Sequence, residues 1–241
     1  MDSDDFWEYN CLEEMYKKIK GSVDIKMVYC GSDEVLDDGT VLSQIKSNID
    51  GKFDKFIHKS GELRLPFNMD TLLIDKRLIE DYNVSFNTKF KISEDIGFFI
   101  KLLCIEKIYS VPLVLAHYLR HDNSATTRKW DAEKWESTVR LFFDAESYCK
   151  LYYQDKLPQF YRIMNYRIYR FCLDVMKTGN IDKAILYIDK YDKQLYFFIK
   201  TANRLNDKIK CKLFLLKNRM LFKMFWNKCY KNYSDSSTQK R

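Results

Sequence analysis

Three carboxylates open the chain, in the sequence Asp2-Ser3-Asp4-Asp5. Two carboxylates one residue apart can converge on a hard divalent cation when they lie on a turn after a strand. Mg²⁺ or Mn²⁺ held in this way bridges the phosphates of a nucleotide. An acidic, solvated start of the chain is the plain alternative. The motif alone favours that alternative, so the metal site depends on support from other residues.

A second acidic pair, Glu94-Asp95, follows Ser93 at the start of a predicted helix. An aspartate there could act as a general base that takes a proton from a hydroxyl nucleophile. Acidic residues are also favoured in the first turn of any helix, where they interact with the helix dipole, and Ser93 would be an ordinary N-cap. Both interpretations stay open at this point.

The third polar segment covers residues 117–126 and holds two of the three histidines in the chain. It follows a predicted strand. A histidine, with His121 as first choice and His117 as second, could complete a metal site, and Arg120 could neutralise a phosphate. A polar loop whose Ser or Thr caps the next helix is the alternative interpretation.

The order and spacing of these segments resemble those of family-2 glycosyltransferases. The first block, Asp-Ser-Asp-Asp-Phe-Trp-Glu from residue 2, is similar to the segment around their Asp-x-Asp motif. Residues 86–98, which contain Lys-Ile-Ser-Glu-Asp-Ile, look like their base-bearing segment. Residues 110–113 (Ser-Val-Pro-Leu) and 118–126 resemble the segment that closes their catalytic domain. A predicted hairpin at 34–41 lies where the family often has an Asp-Gly turn.

The resemblance implies a donor and metal site. Asp2 and Asp4 match the pair that contacts the metal ion and the donor diphosphate. Asp5 and Arg120 are expected to contribute to the same donor-binding site. His121 matches a late histidine that reaches the metal or the diphosphate. The implied cofactor is Mg²⁺ or Mn²⁺.

The resemblance also implies a reaction. Asp95 matches the catalytic base, with Glu94 as its neighbour. The implied enzyme transfers a sugar from a nucleotide-sugar donor to a hydroxyl of a glycan or glycolipid acceptor, with inversion at the anomeric carbon. Family members of this type act in bacterial surface polysaccharide or glycolipid assembly.

The elements that must position these residues follow from the hydrophobic periodicity. It predicts an amphipathic helix at 6–19, a strand at 24–30, a hairpin turn at 37–39, a short strand at 71–74 and a short helix at 76–81. It also predicts a strand at 111–119, where Pro112 indicates either the start of the strand or an edge position. A further helical stripe begins at Glu94. From about residue 128 the pattern becomes almost entirely helical.

The predicted fold is therefore α/β. The resemblance implies that 1–128 is the C-terminal part of a glycosyltransferase catalytic domain, with a partial GT-A sheet. The Rossmann-like half that holds the nucleotide normally precedes the Asp-x-Asp motif and is expected to be missing here. Residues 129–241 are predicted to form a helical appendage with a basic aromatic tail. A non-catalytic remnant, or a half-enzyme that needs its N-terminal part, stays open as an alternative.

Positive charge concentrates in that tail. Residues 203–241 hold eleven Lys and Arg against two Asp, a net charge of 11 − 2 = +9. This exceeds the net charge of +7 of the whole chain. Within it, 208–233 interleaves lysines with Phe, Leu and Trp, as helices on anionic membrane surfaces do. A packed helix with solvated lysines is an equal alternative. A basic adaptor that binds RNA is less favoured, because no nucleic-acid module is recognisable.

The remaining composition bears on location. The seven cysteines include no Cys-x-x-Cys pair, which argues against zinc and a disulfide framework and fits a reducing cytosol. No apolar run reaches the roughly 18 residues of a membrane span, and the acidic start does not read as a signal peptide. We expect a cytoplasmic protein. If the tail is a membrane-surface helix rather than a packed one, it would dock the protein on the inner face of the plasma membrane.

Overall fold

The computed structural model describes residues 5–58, 62–90, 92–120, 132–177, 181–191 and 194. Strands and helices alternate first, and helices follow. In chain order the elements are β1 (Phe6–Trp7), α1 (Cys11–Lys20), β2 (Met27–Val35), β3 (Val41–Ile45), β4 (Leu72–Ile74), α2 (Lys76–Asp81), α3 (Glu94–Ile105), β5 (Ile108–Leu119), α4 (Ala132–Tyr152), α5 (Leu157–Lys177) and α6 (Ile181–Lys190). Single 3₁₀ turns lie at Phe53–Phe56, Met69–Thr71 and Gln154–Lys156.

The five described strands form one mixed sheet in the order β1-β5-β2-β3, with β4 also paired to β2. β2 and β5 run parallel, from Met27 opposite Ile108 to Val35 opposite Leu119. The other described strand pairs are antiparallel. The predicted α/β class is confirmed at this level, as a mixed sheet with helices.

Several local predictions are confirmed. The short strand and helix predicted at 71–74 and 76–81 correspond to β4 and α2. The predicted turn joins β2 to β3, and Gly39 has a φ of 83° there, which glycine adopts without a steric penalty.

One local prediction is wrong. The first helix begins at Cys11 rather than at residue 6, because Phe6–Trp7 pairs with β5 as a strand. A second local prediction, at Pro112, is correct only in part. β1 pairs only with Ala116 and His117, so on that side β5 has no described strand partner at Pro112, as at the predicted edge. Pro112 lies inside β5, however, and does not start that strand. It occupies an irregularity where β2 pairing jumps from Val111 to Val114, and a bulge needs no amide hydrogen at that position.

Helix α1 covers one face of the sheet. Its fully buried Cys11 and Met15 pack with Val28 and Cys30 of β2. Residues four apart on a helix and two apart on a strand each share a side, which explains this pairing.

An aromatic layer covers the opposite face. Tyr29 lies there because successive strand residues alternate sides. The centroid of its ring is 5.2 Å from that of Phe67. The Phe67 centroid in turn lies 5.3 Å from that of Phe99 on α3 and 5.5 Å from that of Phe56. These rings link α3 to the sheet, and α4 packs on α3.

The chain crosses over β2 at Gly31. β3 ends at Ile45 on one side of β2, whereas the Ser47 hydroxyl donates to the Val111 carbonyl of β5 on the other. A Cβ at Gly31 would lie 2.7 Å from the Ile45 carbonyl oxygen. Only glycine therefore lets the Ile45 carbonyl lie this close to β2.

The chain divides into two compact units, Met1–Ile163 and Met164–Arg241. The first contains the sheet with α1 to α4. In the second, the Phe171 ring lies 4.7 Å from Tyr187 and 6.2 Å from Tyr191. The predicted boundary near 128 and the tail 208–233 both fall outside the described residues and stay predictions. No helix in the described part of the chain is both long and apolar enough to span a membrane.

Candidate functional site

Three predicted site residues, Asp2, Asp4 and His121, lie outside the described residues, so their roles stay predictions. The other predicted residues are described and occupy two places. One is the carboxyl end of the parallel β2–β5 pair, and the other is the start of α3.

Asp5 fixes the start of the chain to the end of β5. It is 7% exposed, and its Oδ1 accepts a hydrogen bond from the Leu119 amide at 3.0 Å. This contact spans 114 positions of sequence. β1 follows at once and sets Phe6 opposite His117. The first and third polar segments therefore meet at one sheet end.

His117 has three neighbouring side chains at this end. The Phe6 ring stacks on it with centroids 4.7 Å apart. Its Nε2 lies 3.1 Å from a Glu8 carboxylate oxygen, and its Nδ1 lies 3.9 Å from Oδ2 of Asp33. The first distance is a hydrogen bond and the second is not. The His117 ring is thus hydrogen-bonded to one carboxylate and lies beside a second.

Asp33 was not singled out from the sequence. It is 8% exposed on β2, and among the described residues its Oδ1 has no hydrogen-bond partner. A buried carboxylate oxygen without a donor is costly, so it calls for an explanation. A ligand that brings a donor to this end of the sheet would provide one.

Arg120 closes the same end. Its amide donates to the Val35 carbonyl at 2.8 Å, which extends the β2–β5 pairing by one bond. One guanidinium nitrogen lies 3.9 Å from Oε1 of Glu34, and both side chains are more than one third exposed. The guanidinium is thus reachable by an anion from solvent.

No group of three or more His, Cys, Asp or Glu side chains in the described part of the chain could hold a metal ion. The predicted ligands Asp2, Asp4 and His121 are not in that part. Their chemistry, two carboxylates and one imidazole, suits a hard divalent cation. The predicted Mg²⁺ or Mn²⁺ therefore stays a prediction.

The second place is the start of α3, where the backbone is strained. Ser93 has a φ of 62° and a ψ of 22°, and its side chain makes no capping hydrogen bond. The interpretation of Ser93 as an ordinary N-cap is therefore wrong, because a cap residue needs an extended backbone. A left-handed serine costs about 1–2 kcal/mol, which neighbouring structure must offset.

Asp95 lies in the first turn after this strained residue. Its Oδ1 accepts a hydrogen bond from the Ile96 amide at 2.8 Å. Burial raises the pKa of the Asp95 carboxyl, and the neighbouring Glu94 charge adds to the rise. A perturbed carboxyl beside strained backbone is typical of functional sites, although structural networks also perturb pKa values.

Helix α4 holds the segment that leads into Asp95. The Ser137 hydroxyl donates to the Ile92 carbonyl at 3.1 Å. The Tyr148 hydroxyl donates to the Asn83 carbonyl at 2.7 Å. The two ends of segment 83–92 are thereby fixed to one helix.

A buried ion pair fixes the middle of that segment. Lys101 of α3 is 6% exposed at its side chain and lies 2.6 Å from Oδ2 of Asp144 on α4. The same ammonium donates to the Ser85 carbonyl at 3.1 Å, and Asn87 donates to Oδ1 of Asp144 at 2.8 Å. We call these four residues the α3–α4 brace.

The two places share no direct polar contact. No hydrogen bond or ion pair among the described residues joins Asp95 to His117. The predicted meeting of Asp4, Asp95 and His121 in one cleft thus remains to be tested.

Two sequence signals were missed. Lys101 interrupts an otherwise apolar run of buried residues in α3, and lysines are almost never fully buried unless they are paired. Asp33 likewise follows a run of buried residues on β2. Each signal marks a polar residue that needs a partner, but neither names the partner.

Comparison with protein-family models finds no match, and comparison with curated proteins finds none either. The role of these two places must therefore follow from their own chemistry.

Proposed function

We propose that the chain is the catalytic, acceptor-side part of an inverting family-2 glycosyltransferase. It would transfer a sugar from a nucleotide-sugar donor to a glycan or glycolipid hydroxyl in bacterial surface polysaccharide or glycolipid assembly. One observation carries the proposal: the bond from Leu119 to Asp5 joins the acidic first block to the closing third block. In an active site of this family these two blocks serve one donor.

The sheet topology supports a ligand site at this position. Ligands of open α/β sheets bind outside the carboxyl ends of parallel strands. β2 and β5 are such a pair, and Asp33, His117 and Arg120 lie at their carboxyl end. The finer assignment, a partial GT-A sheet, is part of the proposal.

Asp95 is the proposed base. The acceptor hydroxyl would give its proton to the Asp95 carboxylate while its oxygen forms a bond to the anomeric carbon. The bond from that carbon to the diphosphate breaks on the opposite face, which inverts the configuration. A carboxyl whose pKa is raised is a stronger base once ionised, so burial of Asp95 favours this role.

The donor side needs positive charge. Asp2, Asp4 and His121 are the proposed ligands of Mg²⁺ or Mn²⁺, which would stabilise the charge of the leaving diphosphate. Arg120, with its partly exposed guanidinium, would bind a phosphate oxygen, and Asp5 would hold the acidic segment in place. A donor hydroxyl would supply the hydrogen bond that Oδ1 of Asp33 lacks among the described residues.

The test is the release of nucleoside diphosphate from a panel of uridine- and guanosine-diphosphate sugars. It uses the longest open reading frame that contains this chain, with Mg²⁺, with Mn²⁺ and with a chelator. Asp95→Asn should lose the release, and Asp81→Asn, at the exposed end of α2, should keep it. Release that needs neither metal nor Asp95, or no release from any donor, would contradict the proposal.

A further inference from the structure

A cleft of about 470 Å³ opens beside α1 at the other end of β2. It lies between the second half of α1, the turn at 22–26, strand β4 and the first residues of α2. Its size is within the range of small-molecule sites. The lining residues that carry the inference are Tyr16, Lys20, Val23, Lys26, Asp75 and Arg77.

The polar part of the lining is cationic. Lys20, Lys26 and Arg77 face a single carboxylate, Asp75. Two hydrogen bonds from the Arg77 side chain, at 3.0 and 2.6 Å, together with its amide lower the pKa of Asp75 to about 2, so this carboxylate stays ionised. Asp75 lies 3.9 Å from the Lys26 ammonium as well. One negative charge thus opposes three positive ones.

Two apolar residues of the lining are open to water. Tyr16 is 55% exposed and Val23 is 87% exposed. The apolar stripe continues along α1 to Leu12, which is 52% exposed. Only part of the predicted apolar stripe of α1 is therefore used for packing on the sheet.

We propose that this cleft binds an amphiphilic anion. A phosphate-type head would bind Lys20 and Lys26, with Arg77 at its edge, and an apolar body would lie on Tyr16 and Val23. Cations beside exposed apolar side chains suit a ligand with both features, because each part of it finds its complement. The lysines of the last turn of α1 also offset the partial negative charge at the end of that helix.

This site does not depend on the proposed enzyme. Lys26 directly precedes β2, whereas Asp33 and Val35 lie at its far end. At about 3.3 Å per residue the two places are separated by roughly 25 Å. The amphiphile could be a lipid headgroup in a membrane or a free phosphate ester with an apolar group, and the experiment separates these sources.

The experiment measures binding to the full chain by isothermal titration calorimetry. The probe is dihexanoyl phosphatidic acid below its micelle concentration, compared with dihexanoyl phosphatidylcholine and with inorganic phosphate. We expect phosphatidic acid to bind at least about tenfold more tightly than either, because charged hydrogen bonds and apolar burial each contribute about that factor. The proposal would be overturned if phosphatidylcholine or inorganic phosphate bound as tightly as phosphatidic acid. It would also be overturned if phosphatidic acid did not bind.

Two double variants with equal charge loss locate the site. Lys20→Gln with Lys26→Gln should weaken binding of phosphatidic acid about tenfold or more, since both proposed head contacts are lost. Lys18→Gln with Lys76→Gln, outside the cleft lining, should change it by less than about twofold, because exposed charges are screened. Equal loss in both variants would overturn the cleft assignment in favour of general attraction.

Vesicles then identify the source. Phosphatidylcholine vesicles with and without phosphatidic acid are tested with both double variants. The basic tail is the same in each, so a difference between the variants reports on the cleft alone. If only the Lys20→Gln, Lys26→Gln variant loses vesicle binding, the ligand is a membrane lipid. If the chain binds soluble phosphatidic acid but this variant binds vesicles as well as the native chain does, the ligand is a free amphiphile. Vesicle binding without soluble binding would overturn the cleft proposal.

Discussion

The sheet end with His117 and the helix start with Asp95 are held in different ways. Backbone pairing holds the sheet end, through the parallel β2–β5 ladder and the short β1. Side chains hold the helix start, where the α3–α4 brace and the Ser137–Ile92 hydrogen bond fix the segment that leads into the left-handed Ser93. Backbone ladders tolerate the loss of one side chain better than a brace of one ion pair does. The helix start should therefore be the easier of the two to release.

Lys101→Met should give the largest effect. It leaves the Asp144 carboxylate without its ammonium partner. Breaking a buried ion pair lowers the free energy of unfolding by about 3 kcal/mol or more, and we expect the low end of that range because Asp144 is 23% exposed. Hydrogen exchange should accelerate across 83–95 and stay slow in β2 and β5.

Lys150→Met is the matched control. Lys150 is 54% exposed and pairs with Glu146 at i,i+4, so its loss should cost well below about 1 kcal/mol in urea unfolding. Equal costs for the two variants, or faster exchange at the sheet end in Lys101→Met, would remove the distinction between the two regions.

Gly31→Ala should damage the sheet end instead. The new Cβ would meet the Ile45 carbonyl oxygen at 2.7 Å, so backbone must move, at a cost of about 1–3 kcal/mol. Gly97→Ala is the control in α3, where the nearest atom is 3.4 Å away and alanine gains up to about 1 kcal/mol of helix propensity. Unfolding free energies check both, and a tolerated Gly31→Ala would show that the crossing at this residue is looser than described.

Ser93→Gly should have a smaller effect of opposite sign. Glycine adopts the left-handed backbone without strain, so the variant should gain about 0.5–1 kcal/mol in unfolding free energy. Ser93→Ala keeps a Cβ and should gain nothing. Equal stability of the glycine and alanine variants would mean that Ser93 stores no strain.

Asp95→Asn should have a stability effect that depends on pH. Burial raises the pKa of Asp95, so folding penalises its ionised form, and the penalty is complete above the folded-state pKa. The variant should therefore be more stable than the native chain near neutral pH, and the gain should vanish below the ordinary aspartate pKa of about 3.9.

Asp38→Asn provides a control of opposite sign. Hydrogen bonds from Thr40 lower the pKa of Asp38, so this variant should lose stability near neutral pH and recover it in acid. Thermal melts of both variants from pH 3 to 8 check these signs. A pH-independent Asp95→Asn difference would show that its carboxyl is not perturbed.

The sequence predicts those parts of the fold that depend on neighbours in the chain. β4, α2 and the turn at Gly39 follow from local periodicity and turn residues. The first helix was placed too early because the strand partner of Phe6 is His117, far away in the sequence. Local pattern cannot reveal such a pairing, since both helix and strand suit an isolated aromatic pair.

The candidate site follows the same division. The resemblance singled out Asp95, and the structure adds its strained neighbour and its brace. Nothing near Lys101 in the sequence indicates Asp144, because the two helices meet only after folding. Nothing near Asp33 in the sequence indicates His117 either, which comes within 3.9 Å of Asp33 only across the parallel ladder.

The most direct test of the central claim separates donor affinity from transfer rate in Asp95→Asn. It is made with the longest open reading frame that contains the chain and with whichever nucleotide sugar that protein hydrolyses. The account predicts a transfer rate lower by about 10²–10⁴-fold with nearly unchanged donor affinity and no loss of stability at neutral pH, because a general base acts in the transition state. An unchanged transfer rate in a folded variant that still binds donor would contradict the assignment of Asp95 as the base.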